Sequence, residues 1–134
     1  ELGCHYIGCD IVPEIIEGCR QNYPDVDFFV ADISAIIFHK VDLVLTRDCL
    51  VHFPTTLIKK TLKNLSLSSC KYVMLTHFTG NRPYVDIPLG GWRPINFTLP
   101  PFNLPPPLVS YNEEYNDKAY SDKTISVWRG KDLV

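Results

Sequence analysis

Arg47, Asp48 and His52 are the residues whose types and spacing best suit catalysis. They follow the apolar run Val41 to Thr46 (VDLVLT), so a strand should deliver them together at its carboxyl end. A guanidinium beside a carboxylate can orient a polar group, and an imidazole close by can take a proton near neutral pH. Cys49 lies three residues before His52, which permits contact, but no third group to orient the imidazole is identifiable. A buried thiol is the better reading of Cys49. Arg47 and Asp48 also read as a structural ion pair, and His52 as a structural histidine. His5 and His39 show no partner in the sequence.

Asp10 and Asp32 form a second group. Each closes an apolar run, HYIGCDIV for the first and VDFFVAD for the second. Ligands of open parallel sheets bind outside the carboxyl ends of the strands. An acid there can accept two hydrogen bonds from ribose hydroxyls. A second acid, 22 residues further on, can take the exocyclic amine of adenine. Phosphate would instead require backbone N–H groups and cations. Asp is also common at strand-to-helix turns, so each acid alone carries a structural reading as well.

The elements that must position these groups are legible in outline. His5 to Val12 is a β-branched apolar run that stops at Pro13, a residue suited to the first turn of a helix. Ile15, Ile16 and Cys19 then share one helical face, and Asn22, Tyr23 and Pro24 end it. Val26 to Val30 and Val41 to Thr46 read as strands. Pro54, Thr55 and Thr56 open a second helix whose apolar stripe is Leu57, Ile58, Thr61, Leu62 and Leu65. Lys71 to Phe78 and Thr124 to Arg129 read as the last two strands. This alternation predicts an α/β fold with a mostly parallel sheet, in a single domain over 1–134.

Eight of the 11 prolines fall between Thr79 and Asn112. Proline excludes regular helix and interior strand, yet Trp92, Phe97, Leu99, Phe102 and Leu104 make the stretch too apolar for a free linker. Residues 79–112 are therefore expected to form an ordered loop packed over the sheet, in the position of a lid. Asn81, Trp92 and Asn96, with Arg82 and Arg93, are its candidates for contact with a substrate, Trp92 supplying an apolar wall. The same residues suit pinning the loop to the domain, because its carbonyls need donors.

Composition excludes several classes. Of 134 residues, 46% are hydrophobic and 21% charged, which fits a folded domain rather than a disordered tail. The net charge of -2, from 13 Lys and Arg against 15 Asp and Glu, argues against nucleic acid as a partner. The apolar runs are too short to cross a bilayer, and Glu1, His5 and Asp10 stand where a signal peptide would be apolar. Five cysteines without a CxxC, or a His at zinc spacing, predict neither a metal site nor a disulfide scaffold. Most should be small buried residues of a cytoplasmic protein.

The segments YIGCDIVPEIIEGCRQNYP, FFVADI and VDLVLTRDCLVHF resemble the middle of a class I S-adenosylmethionine-dependent methyltransferase. The likeness is closer still to a bacterial subgroup whose acceptor is unassigned. It extends through GGWRPINFTLPPFNLPPP and DKTISVWRGKDL, and so over nearly the whole chain. It implies a Rossmann-like sheet with S-adenosylmethionine as cofactor. By this resemblance Asp10 binds the ribose, Ile11 flanks the adenine, Asp32 holds the adenine amine and Ile33 packs on the ring. Arg47 and Asp48 sit near the methionine part or the substrate, and Cys49 to His52 line the same cleft. The family's first strand and Gly-rich loop have no counterpart here: neither Gly3 nor Gly8 begins a GxGxG. That reads as a fold truncated at its N-terminus, and a sheet so interrupted predicts a homo-oligomer or a rearranged molecule. The implied activity is methyl transfer to a small molecule or protein. The alternative is a non-catalytic remnant that serves as a self-associating or interaction module. A binder of another adenosine compound, such as a dinucleotide, fits less well, because pyrophosphate depends on the missing loop.

Overall fold

A computed structural model describes residues 3–134. The chain forms two compact units, the first ending at Ile36 and the second running Ile37–Val134.

The first unit contains β1 (Ile7–Asp10), α1 (Pro13–Asn22) and β2 (Asp27–Val30). The strands pair in parallel, with Ile7 opposite Asp27 and Asp10 opposite Val30. Pro13 occupies the first turn of α1, where a missing N–H costs no helical hydrogen bond. Arg20 ties α1 to β2 by donating to the Phe28 carbonyl from Nε at 3.2 Å and Nη2 at 2.7 Å. Gly8 faces Phe28 across the ladder, and a Cβ there would lie 2.5 Å from the Phe28 ring. His5, expected to stand alone, pairs with Asp27 at 2.9 Å; both side chains are exposed.

The second unit contains β3 (Leu43–Thr46), α2 (Thr55–Leu67), β4 (Tyr72–Phe78), β5 (Val109–Asn112) and β6 (Lys123–Arg129). Short 3-10 turns occupy Leu50–His52, Lys118–Tyr120 and Gly130–Asp132. The sheet order is β3-β4-β6-β5. β3 and β4 are parallel, whereas β6 runs antiparallel to both β4 and β5. The α/β architecture stands as expected, but parallel pairing does not dominate this sheet. Strand β5 also falls inside the stretch expected to be loop. It begins after Pro107, where every residue again has an N–H to give, and Leu108 N donates to Val127 O at 2.8 Å.

One face of this sheet carries the core. Val44, Val73, Leu75 and Trp128 pack against Ile58, Leu62 and Leu65 of α2. The stripe read from the sequence is the buried one, except that Leu57 is only half-buried. The proline-rich segment completes the core with Ile95, Phe97 and Leu104. It is held by donors outside itself: Phe78 N donates to Ile95 O at 2.9 Å and Trp128 Nε1 to Pro105 O at 2.8 Å. At its start, Arg82 donates to both oxygens of Asp122 at 2.7 and 2.6 Å, and Gly80 N adds a third bond at 2.7 Å. The Arg82 hydrogen bonds, with smaller help from Gly80 N–H, draw the Asp122 carboxyl down to about 2.

Asp122→Asn should cost about 2 kcal/mol in urea unfolding at neutral pH. A carboxyl whose pKa is lower in the folded state adds stability above its unfolded value and loses it as pH falls through the folded value. The wild-type advantage should therefore hold at pH 5 and vanish toward about 2. A variant as stable as wild type at pH 7 would remove this clasp from the account of the fold.

No disulfide occurs among the described cysteines. Only Cys70 is buried, while Cys4 and Cys9 are exposed, so the expectation of mostly buried thiols holds for one. No helix of the described residues is long and apolar enough to cross a membrane.

Candidate functional site

In the first unit, the parallel register places Asp10 and Asp32 at the same end of two neighbouring strands. Asp10 is the last residue of β1 and pairs with Val30, two residues before Asp32. Asp10 Oδ1 accepts from Val12 N at 2.9 Å and Asp32 Oδ1 from Ser34 N at 2.8 Å. These bonds shape the two turns, as the structural reading of each acid requires. Each carboxylate keeps a second oxygen without a hydrogen bond among the described residues. Ile11 is exposed beside Asp10, and Ile33 is half-buried beside Asp32. The pair therefore presents two free acceptors flanked by two apolar side chains at one end of the parallel strands.

In the second unit, Arg47 and Asp48 sit at the carboxyl end of β3 inside a network of four charges. Asp48 adopts a φ of +52°, a left-handed conformation costly for a residue with a Cβ. Its N–H donates to Thr76 Oγ1 at 2.7 Å. Lys123, at the start of β6, places Nζ 2.8 Å from each Asp48 oxygen and 3.3 Å from Glu113 Oε2. Arg47 Nε donates to Glu113 Oε1 at 2.7 Å, and Nη1 lies 3.7 Å from Asp48 Oδ2. The Lys123 side chain is 8% exposed. Burial disfavours its charge, but hydrogen bonds and charge from Asp48 and Glu113 outweigh it and hold the ammonium above its usual range. Tyr115 lies over the same ammonium, 5.0 Å from ring centre to Nζ. The network leaves Arg47 exposed and its guanidinium held above its usual range, first by the Glu113 hydrogen bond.

His52 closes the 3-10 turn after β3 and Nδ1 lies 2.7 Å from the Gly91 carbonyl. A carbonyl can only accept, so Nδ1 carries the proton and Nε2 keeps its lone pair as the basic atom. The bond also ties the proline-rich segment to the end of β3, as do Gly90 N and Arg93 N, which donate to His52 O and Val51 O. Of the loop candidates, Asn81 is exposed and Asn96 donates to Thr79 O and Gly80 O while accepting from Thr98. Trp92 packs edge-on against Phe78 and Tyr120 and remains 44% exposed. Sequence reasoning missed Lys123 and Glu113. The one available signal was a lysine at the head of an apolar strand, which reads as solvated until a carboxylate is placed beside it.

Against this geometry the comparisons with known proteins decide the family. A family model described as a methyltransferase domain matches residues 1–67, half of the chain. The chain belongs to the methyltransferase domain family. Its fold agrees: a TehB-like SAM-dependent methyltransferase from Corynebacterium glutamicum superposes with a TM-score of 0.56 at 13% identity, over 90% of this chain and 65% of that one. A Pyrococcus horikoshii OT3 protein is 24% identical over 55% of this chain and 36% of its own length, at a TM-score of 0.49. Magnesium protoporphyrin IX methyltransferase from Synechocystis PCC 6803, solved with bound SAM, is 21% identical over 54% of this chain and 38% of its own, at a TM-score of 0.45. This methyltransferase domain thus spans 36–41% of the length of the first solved relatives it matches. No curated protein matches it at the sequence level.

Proposed function

We propose that this methyltransferase domain binds S-adenosylmethionine and contributes to transfer of its methyl group to a small-molecule or protein acceptor. The observation that carries the reading is the pair Asp10 and Asp32, at one end of adjacent parallel strands, each with a free carboxylate oxygen. Asp10 would accept from the ribose, Asp32 from the adenine amine, and Ile11 and Ile33 would flank the ring. Arg47 and Asp48 are proposed for the methionine part or the acceptor, and His52 Nε2 for taking an acceptor proton where one must leave. When bound, the sulfonium supplies the activated methyl, so most of the rate would come from positioning. Asn81 and Trp92 would face the acceptor.

The experiment is calorimetric titration of the chain with S-adenosylhomocysteine. Wild type is expected to bind in the micromolar range, and Asp10→Ala to weaken binding at least about thirtyfold by removing a charged acceptor. A chain that gives no heat at millimolar ligand is not a cofactor binder. That result would favour the second reading, a non-catalytic module of methyltransferase ancestry, which the turn hydrogen bonds of both acids support. Self-association belongs to either reading. Exposed Leu43, Leu45, Val109 and Tyr111 lie on the face of the β3-β4-β6-β5 sheet opposite α2 and support it. A cytoplasmic setting completes the proposal.

A further inference from the structure

The end of the second unit remote from Asp48 carries a feature that methyl transfer does not use. Cys70 and Lys71 lead into β4, which Tyr72 begins, and Arg129 ends β6 with Lys131 just beyond it; together they line an open groove of about 270 Å³. The two segments cross closely because Gly130 has no side chain. A Cβ there would sit 2.6 Å from the Cys70 carbonyl oxygen, and Gly130 N donates to Lys71 O at 3.1 Å. The crossing gathers three cations around one hollow in a chain whose net charge is -2.

Lys71 pairs with Asp42 at 2.7 Å. The side chains of Arg129 and Lys131 have no hydrogen-bond or ion-pair partner among the described residues, and Asp132, though next in sequence, does not line the groove. With Asp42 set against Lys71, two positive charges remain unmatched. Tyr72 stands directly opposite Arg129 in the antiparallel ladder, so the two side chains share a face, and the tyrosine is 44% exposed.

We propose that this groove binds a phosphate monoester carried on a small ring. A phosphate monoester bears close to two negative charges at neutral pH, matching the unmatched pair. The planar guanidinium of Arg129 can donate to two phosphoryl oxygens at once, and Lys131 supplies a point charge to the third. Tyr72 gives the ring an apolar wall. A carboxylate offers one charge and would leave the cations repelling each other.

The test is NMR titration of the full chain with phenyl phosphate, inorganic phosphate and phenol. Phenyl phosphate should shift the amides of 70–72 and 129–131, weakly at high salt and more strongly at low. Inorganic phosphate should shift the same amides with lower affinity, and phenol should leave them unmoved. Arg129→Gln combined with Lys131→Gln changes only exposed side chains and should weaken phenyl phosphate at least about tenfold. Equal affinity in the variant, shifts elsewhere on the chain, or an equal response to phenol would each overturn the proposal.

Discussion

Lys123→Met is expected to lower the stability of the second unit by about 3 kcal/mol, the usual cost of removing one partner from a buried ion pair. The lysine ammonium is nearly withdrawn from water and lies between two carboxylates, Asp48 and the 14%-exposed Glu113. Methionine fills much the same volume, so packing should survive and the loss should be electrostatic. What remains is Glu113 with Arg47 at 2.7 Å and Asp48 with a looser contact at 3.7 Å. Glu113 Oε2 would then be a buried acceptor with no neighbour; it already lacks a well-aligned hydrogen bond and relies on the lysine charge. Urea unfolding of four chains (wild type, Lys123→Met, Asp48→Asn and the double variant) separates the effects. The double variant should recover part of the loss, because one carboxylate no longer needs a counter-charge. A single-variant loss below about 0.5 kcal/mol would show that the pair behaves like an exposed one. The consequence reaches the site itself. Asp48 is held in its left-handed conformation by what surrounds it, and Lys123 grips both its oxygens.

Mild acid should destabilise the chain through His77. The imidazole is 2% exposed, stacked on Phe97 and edge-on to Trp128, and its Nδ1 accepts from Phe97 N at 3.2 Å. Burial lowers its pKa from the usual 6.5 to about 4, with Asp122 opposing only weakly. In the unfolded chain the same group protonates near 6.5. Between these values the unfolded state binds more protons, so stability rises with pH there. The contribution is fully present above pH 6.5, falls as pH drops through the window, and is gone below about 4. The gap corresponds to about 3 kcal/mol. His77→Asn keeps an acceptor for Phe97 N but cannot titrate. Urea midpoints at pH 7 and pH 4.5 should therefore diverge strongly for wild type and much less for the variant. Parallel behaviour of the two proteins would assign the acid sensitivity elsewhere.

The two predictions concern residues that are unequally legible in the sequence. His77 falls in the run Lys71 to Phe78 that reads as a strand, and it is the penultimate residue of β4. Lys123 gave no such hint. Its partners are 75 residues away at Asp48 and ten away at Glu113, and they meet because β6 runs antiparallel between β4 and β5.

Local patterns determined what they physically control. Alternation and apolar runs placed β1 to β4 and β6 within a few residues, and Pro13 and the Ile58, Thr61, Leu62, Leu65 stripe placed both helices. These periods reflect the backbone's own repeat, so they survive without knowledge of the rest of the chain. The carboxyl-end positions of Asp10, Asp32, Arg47 and Asp48 follow from the same local reading. Pairing does not. Strand β5 hid behind eight prolines because four residues acquire a ladder only when β6 lies alongside them. The clasp of Arg82 on Asp122, the His52 bond to Gly91 and the gathering of Lys71, Arg129 and Lys131 at one groove join segments tens of residues apart. Charge pairing depends on distance in space, which sequence neighbours do not encode, so those contacts were decided by the tertiary fold alone.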